Sequence, residues 1–412
     1  MSTVETISPP GAPRLFGNDQ HGDYAAHLAR YGELPLELRA DELRERVADS
    51  GLTGRGGAAF PTARKLESVL GGRGRPIVVA NGTEGEPPSQ KDKALLAYAP
   101  HLVVDGAILA ARAVGAKTAI LATAGDAHPA VARALAERPR APRASIRTAV
   151  VPERFVAGEE TALVQFLNGG PALPTFTPPR PYERGVGGAP TVVLNVETLA
   201  HLALVARFGA AWFRSVGTAD EPGSALVTVS GAVGNPGVFE VELGSPFSSL
   251  LADAQADPDA QAYLVGGYFG TWLRAEDAAR AALSNAGLAP FHASLGARAI
   301  VVLPRRACGI AETARVARYL AGESAGQCGP CVHGLAAVAG SLEELVRRDR
   351  RRPDTSLLRR RLAQVAGRGA CRHPDGAVAL VASGLRVFSE ELERHLHGRR
   401  CTGDGRGVLP LP

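Results

Sequence analysis

Between residues 75 and 200, short apolar segments alternate with amphipathic ones, and this alternation limits the fold more than any other feature. Residues 75–80 (RPIVVA), 117–122 (KTAILA) and 145–151 read as strands. Residues 101–114, 129–137 and 159–167 read as helices between and after them. Strands separated by helices pair in parallel and need cover on both faces, so this part of the chain is an α/β domain with a mostly parallel sheet.

The flanking sequence has a different texture. Residues 1–38 lack periodicity and read as a wrapping arm, followed by a short helix over 39–50. A glycine-rich loop, GLTGRGGAAFP (51–61), then leads into a helix over 62–70 with Pro61 at its start. After residue 214, segments 227–233 and 238–243 alternate like strands, joined by Asn235-Pro236-Gly237, which suits a type II turn. They belong to a small α+β module over about 224–300. From Cys308 onward, helical segments at 311–320, 335–346, 357–365 and 377–396 predict a four-helix cap.

Length and composition set the outer bounds. A chain of 412 residues, 45% hydrophobic and 21% charged, has two or three domains and is not disordered as a whole. Aromatic residues are only 5%, so the core is built of Ala, Val and Leu. The most apolar stretch, 102–123, is broken by Asp105, Arg112 and Lys117 and is no membrane span. The opening MSTVETISPPGAPRLFG has neither a basic n-region nor an apolar core, so the expectation is a cytoplasmic protein without direct membrane insertion. The net charge of +5 is modest. The arginine cluster Arg347, Arg348, Arg350, Arg351, Arg352, Arg359, Arg360, Arg361 has no interleaved aromatics, so it reads as a solvated surface and not a nucleic-acid site, with docking on an acidic partner protein as the alternative.

Five constellations can carry chemistry. Glycines in the 51–61 loop let backbone N–H groups approach an anion, with Arg55 and Lys65 to supply charge; a tight structural turn is an equal reading. NGTEGEP (81–87) aims Asn81, Glu84 and Glu86 beyond the carboxyl end of a strand, where open α/β sheets bind ligands; a solvated acidic turn is the alternative. GEET (158–161) opens a helix with Glu159 and Glu160, and LNVET (194–198) does so with Asn195 and Thr198; helix capping alone accounts for either. The five cysteines all fall in roughly the last quarter: Cys308, Cys328, Cys331, Cys371 and Cys401. An odd number in one end of such a chain is no disulfide framework, whereas Cys328-x-x-Cys331 with Cys371 selects iron–sulfur or zinc. A Cys3His zinc set would add His333 or His373.

Taken in order, GRGGAAFPT, NGTEGEP with Lys91-Asp92, GEETAL, VLNVET and ESAGQCGPC resemble the family of NADH-binding flavoprotein subunits found in respiratory complex I and in NAD-dependent hydrogenases and formate dehydrogenases. The resemblance runs from about Gly51 to His397. It implies a Rossmann-like FMN domain with the N-terminal arm (1–220), a soluble-ligand-binding β-grasp (SLBB-type) module (221–300), a helical iron–sulfur domain (301–400) and a tail (401–412). It also implies electron transfer between NAD(H) or NADP(H), FMN and a 4Fe-4S or 3Fe-4S cluster, then to partner redox subunits, ferredoxin-like or membrane-bound. A peripheral place on the inner membrane face, through partners, would follow. By match to the family motifs, Gly54, Arg55, Gly56, Gly57 and Lys65 meet the FMN phosphate. Asn81, Glu84, Glu159, Glu160, Asn195 and Thr198 meet the flavin, Phe60 and Glu86 face the nicotinamide dinucleotide, and Cys328, Cys331 and Cys371 hold the cluster.

The chain also departs from the pattern. Where the family has its first cluster cysteine, this sequence has Ala325, leaving His333, His373, Gln327 or Cys308 (expected within another helix) as replacements. Where it has Lys-Pro-Pro-Phe, this one has Thr177-Pro178-Pro179-Arg180, and Arg180 can stack on a base or meet an NADPH phosphate. Thr83 and Phe155 replace a family Asp and Tyr. Two alternatives follow. One is a relay or scaffold protein without NAD(P)H oxidation. The other is a protein like the NAD-reducing component of Rnf-type ferredoxin:NAD oxidoreductase, which shares the NGxExEP spelling.

Overall fold

The structure is a computed structural model that describes residues 6–7, 14–16, 23–138, 146–347, 355–399, 403 and 407–412. Arg348, Arg350, Arg351, Arg352 and Cys401, together with much of the expected N-terminal arm, lie outside these residues. The chain divides into two compact units. The first is Met1–Gly85, Gln90–Val227 and Val238–Ser245; the second is Glu86–Ser89, Thr228–Gly237 and Pro246–Pro412.

The first unit begins with strand β1 (Thr6–Ile7), helices α1 (Tyr24–Tyr31) and α2 (Ala40–Ser50), and the short α3 (Thr62–Glu67). The expected alternation follows as β2 (Ile77–Gly82), α4 (Lys91–Tyr98), α5 (Pro100–Val114), β3 (Ala119–Thr123), α6 (His128–Glu137), β4 (Ile146–Val150), α7 (Glu160–Leu167), β5 (Thr191–Asn195) and α8 (Val196–Phe213). Strands β2 to β5 form a wholly parallel sheet in the order β4-β3-β2-β5. Side chains alternate across it as strand geometry requires. Val78, Ala80, Leu121, Val192 and Leu194 join the core beneath α5 and α8, while Val79, Ala122 and Val193 pack with Leu163 and Val164 of α7. The sheet is therefore covered on both sides.

Helices α5 and α8 are nearly all apolar and approach closely at one point, where a Cβ on Gly106 would stand 2.0 Å from the carbonyl oxygen of Leu199. Helix α5 starts with Pro100 at its first turn and ends where Gly115 turns left-handed (φ 70°). Strand β1 pairs in parallel with β7 (Gly237–Glu242), Thr6 opposite Val238. Glu240 of β7 is buried, accepting the backbone N–H groups of Arg14 and Leu15 (both 2.9 Å) and the Ser224 hydroxyl (2.6 Å).

In the second unit, the end of β6 (Ser224–Gly231) runs parallel to β10 (Ala299–Pro304). The latter is antiparallel to β8 (Ala260–Val265), which is antiparallel to β9 (Thr271–Arg274). The short helix α9 (Phe247–Asp253) lies between β7 and β8 in sequence. The alternation expected of β6 is absent because residues 224–229 are buried on both faces. Nor is Asn235-Pro236-Gly237 a type II turn: Gly237 does not take the positive φ that such a turn places there. The left-handed residue is Gly231 (φ 89°), where a Cβ would meet the Val302 carbonyl oxygen at 2.3 Å.

The helical part comprises α10 (Gly309–Gly322), a π-helical turn over Pro330–Leu335 that continues into α11 (Ala336–Val346), α12 (Thr355–Val365), α13 (His373–Val387) and α14 (Ser389–Leu396). The last expected helix is thus two, broken at Phe388. That ring sits edge-on to Trp272 (centroids 4.9 Å) and fills the space over Gly309, where a Cβ would come within 2.4 Å of it. Arg347, Arg359 and Arg360 are exposed, as a solvated surface requires. Among the described residues, no single helix is long and apolar enough to cross a membrane. Only α4 and α5 together pass by length and composition, and they are bent by 97° and largely buried.

Candidate functional site

The sheet order β4-β3-β2-β5 reverses direction at β2: β3 and β4 lie on one side, β5 on the other. Loops leaving the carboxyl ends of β2 and β5 therefore part, and the opening between them is where doubly wound sheets take ligands. Asn81, next to last in β2, and Asn195, last in β5, are register partners. The Asn81 amide donates to the Gly158 carbonyl (2.8 Å), and its oxygen accepts from the Thr83 hydroxyl (2.8 Å). Asn195 caps α8 by accepting from Glu197 N–H (3.0 Å) and donates from its amide to Asp92 Oδ2 (2.6 Å).

Beside these amides lies a charged network that the sequence does not single out as part of a site. Lys91, almost sealed from solvent, contacts Asp92 Oδ1 (2.6 Å), Glu197 Oε2 (3.0 Å) and Asn195 Oδ1 (3.4 Å). Burial raises the Asp92 pKa, Lys91 opposes that shift and Glu197 adds to it. Glu84, held at φ 39°, accepts the N–H groups of Asp92 (3.0 Å) and Lys93 (2.8 Å), and so caps α4. Asp92 thereby joins Glu84 and Asn195, two of the expected flavin contacts. The signals are present, since Lys91-Asp92 and Glu197 fall inside the motifs above, but burial of charge cannot be read from one sequence.

The glycine-rich loop closes on itself through Gly54 N–H to Phe60 O (2.9 Å) and a bridge between Thr53 and Pro61. Gly57 takes φ 118°, which only glycine adopts readily. A Cβ on Gly56 would stand 3.1 Å from that of Asn195, so the loop lies against the β5 end of the site. Thr198 fixes the loop by accepting Arg55 N–H (2.8 Å). The Arg55 side chain is held by the protein itself. Its guanidinium is buried and donates to Ser224 O (3.3 Å), Pro222 O (3.1 Å) and both oxygens of Thr53 (2.9 and 3.2 Å).

Lys65 is the cation that remains accessible, a third exposed and paired with Glu160 Oε2 (3.0 Å). Glu159 turns into its own helix instead, capping α7 through Thr161 N–H (2.9 Å) and Ala162 N–H (3.1 Å), and burial raises its pKa. Phe60 is half exposed on the glycine-rich loop. The structure so collects the loop, Lys65, Asn81, Glu84, Glu159, Glu160, Asn195 and Thr198 within the first unit. Glu86 belongs to the second unit, where it accepts the Tyr268 N–H. Gly267 leaves it room, since a Cβ there would come within 2.6 Å of the carboxyl carbon. The Tyr268 hydroxyl donates to Pro410 O.

In the helical part, Cys331 and Val332 donate their N–H groups to Cys328 O (3.1 and 2.9 Å) at the start of the π-turn. The Cys328 and Cys371 thiols both act on Cys331, whose pKa burial and these neighbours push up to about 11. Cys308 is not within a helix but caps α10, accepting Ala311 N–H (3.4 Å) with His395 Nε2 at 3.2 Å. His373 is buried, its Nε2 donating to Leu320 O (2.7 Å). Gln327 and His333 are exposed. Among the described residues, no three His, Cys, Asp or Glu side chains converge on a single-ion site.

For a flavin mononucleotide the donor set fits: an accessible ammonium, a glycine-lined backbone and two amides at one opening. For an iron–sulfur cluster the fit is incomplete: the Cys328 and Cys371 thiols act on Cys331, and among the described residues no fourth thiol joins them. Residues 47–204 match the Nuo51 FMN-binding domain family, and residues 311–395 match the NADH-ubiquinone oxidoreductase-F iron-sulfur binding region. The NADH-quinone oxidoreductase F protein of Streptomyces coelicolor is 30% identical over 387 residues, 90% of this chain and 86% of that one. The chain belongs to the NADH-quinone oxidoreductase F family. The F 2 protein of Rhizobium meliloti is likewise 30% identical, covering 97% of this chain and 98% of its own. Among solved structures, an NAD+-reducing NiFe hydrogenase superposes in its H2-reduced and air-oxidised states with TM-scores of 0.82 and 0.83, at 32% and 34% identity. Both cover 92% of this chain and 67% of the other. As a member of this family, the protein is a flavin and iron–sulfur oxidoreductase component that carries electrons from NADH through FMN to an Fe-S cluster.

Proposed function

We propose that FMN lies at the carboxyl ends of β2 and β5, with its phosphate on the Gly54, Gly56 and Gly57 backbone and the Lys65 ammonium. The observation that carries this reading is the register pairing of Asn81 with Asn195 at the sheet's reversal, with Gly56 packed against Asn195. Bound there, FMN would supply the chemistry that links hydride exchange with a nicotinamide to single-electron transfer. The chain's own residues bind and orient. Asn81 and Asn195 present fixed amides because both are held by neighbours, and Glu160 keeps Lys65 in place. Glu84, Glu159 and Thr198 support that frame as cap, cap and loop anchor. Phe60 serves the dinucleotide by stacking on adenine, and Arg180 either stacks on a base or meets the additional phosphate of NADPH.

The β-grasp module over about 221–300 and the iron–sulfur domain over 301–400 complete the organisation. The relatives, named as subunits of NADH-quinone oxidoreductase, imply partner redox subunits here too, with this protein peripheral to any membrane they occupy. Two measurements test the reading. The anaerobic protein should hold FMN that bleaches with NADH or NADPH; a flavin inert to both overturns the nucleotide assignment. Lys65→Ala should weaken FMN binding about 10- to 100-fold, the loss of one charge-assisted hydrogen bond, and unchanged affinity overturns the phosphate assignment.

A further inference from the structure

One cluster of titratable side chains in the helical part lies outside the proposed flavin site. Cys308 is the N-cap of α10, its sulfur accepting Ala311 N–H (3.4 Å). His395, in the last turn of α14, brings Nε2 to 3.2 Å from that sulfur. Glu391, four residues earlier on the same face of α14, accepts Gly309 N–H (2.7 Å) and Ile310 N–H (3.4 Å) through Oε2. A nucleophile, a base and a carboxylate therefore meet at the start of one helix. Burial raises the Glu391 pKa, while hydrogen bonds from Cys308, Ile310 and Gly309 and the charge of Arg394 oppose the rise.

These contacts set what the thiol can do. The helix N-terminus and an imidazolium favour a thiolate, whereas burial and the adjacent carboxylate disfavour one. A thiol so balanced keeps its proton until a base takes it, and His395 Nε2 is within reach. Access is narrow. Cys308 is 6% exposed and Gly403 lies against it, where a Cβ would stand 2.9 Å from Cys308 N and 3.0 Å from its Cβ. The cover at that point is backbone without a side chain, which suits an electrophile of about two heavy atoms and excludes a bulky one.

We propose that Cys308 is a hydroperoxide-reactive thiol with His395 as its base. His395 Nε2 takes the thiol proton, and the sulfur attacks one oxygen of hydrogen peroxide. The O–O bond breaks as an S–O bond forms, and the leaving hydroxide takes the proton back from His395 and departs as water. Sulfur loses two electrons and the peroxide gains them, so Cys308 ends as a sulfenic acid.

The test uses the full chain, purified anaerobically and then exposed to hydrogen peroxide with dimedone, which traps sulfenic acids; peptide mass spectrometry reads the adduct. Cys308 should carry it, and Cys308→Ser should lose it. His395→Gln should slow its formation about tenfold or more, with an unchanged unfolding midpoint as evidence that the variant is folded. In the parent, tert-butyl hydroperoxide should react about tenfold more slowly than hydrogen peroxide, a comparison that needs no variant and decides alone if His395→Gln does not fold. No adduct at Cys308 in the parent overturns the proposal. So does an equal rate in folded His395→Gln, or an equal rate with both hydroperoxides.

Discussion

Replacing Lys91 with Met keeps most of the side chain's length and removes its charge. Lys91 contacts Asp92 at 2.6 Å and Glu197 at 3.0 Å, and none of these side chains is more than 7% exposed. Removing one partner from a buried ionic cluster leaves uncompensated charge and costs about 3–5 kcal/mol. Against a total stability of about 5–15 kcal/mol, that is a large share. The loss depends on pH in a defined direction. The Asp92 pKa is already raised by burial, and loss of Lys91 raises it further. A carboxyl with a raised folded pKa costs nothing below its unfolded value, near 3.8, and costs progressively more as pH rises through the folded value. The assay is urea unfolding of parent and Lys91→Met at pH 5 and pH 8, read by circular dichroism and flavin release. The deficit should be larger at pH 8. A deficit under about 1 kcal/mol at pH 8, or an equal one at both values, refutes the reasoning.

Glu240 is fully buried and its pKa is pushed up to about 7, first by burial, with the Ser224 and backbone hydrogen bonds opposing. Its contribution is therefore present below about pH 4.5 and is lost as pH rises through 7; Glu240→Gln should remove up to about 3 kcal/mol of that pH dependence, checked by unfolding midpoints from pH 5 to 9. Gly106→Ala places a methyl 2.0 Å from the Leu199 carbonyl oxygen, so it should cost about 3 kcal/mol or lower expression outright, measured by thermal unfolding. Glu84→Gly should cost less than Glu84→Ala. Both lose the cap on α4, worth about 1 kcal/mol, but glycine relieves the φ of 39°, so the alanine variant should show the lower thermal midpoint.

The alternation over 75–200 is legible because buried parallel strands and covering helices leave distinct periodicities, and each expected strand lies within a few residues of its place in the structure. Helix breaks are less visible. Nothing around Phe388 announces an end, because the cause is a ring packed on Trp272 and Gly309, both distant in sequence. At the site, residue types are readable and side-chain directions are not. Arg55 looks like a ligand for anions and instead binds carbonyls of its own unit, while Glu159 and Glu160, adjacent in sequence, point to a helix cap and to Lys65 respectively. Lys91, Asp92 and Glu197 carry the charges that usually mark a surface. Only tertiary pairing, of Lys91 with Glu197 across 106 residues, turns them into an interior network.

Strand β5 ends at Asn195 and helix α8 begins at Val196, so one residue both closes a register pair and caps a helix. There is no connecting loop in which an inserted or deleted residue can be absorbed. A change of length between Thr191 and Glu197 must either slip Asn195 away from Asn81 or strip the helix of its cap, whereas the irregular stretch 171–185 can take such changes without touching either. In a library of length variants, the junction should stay fixed while that stretch drifts.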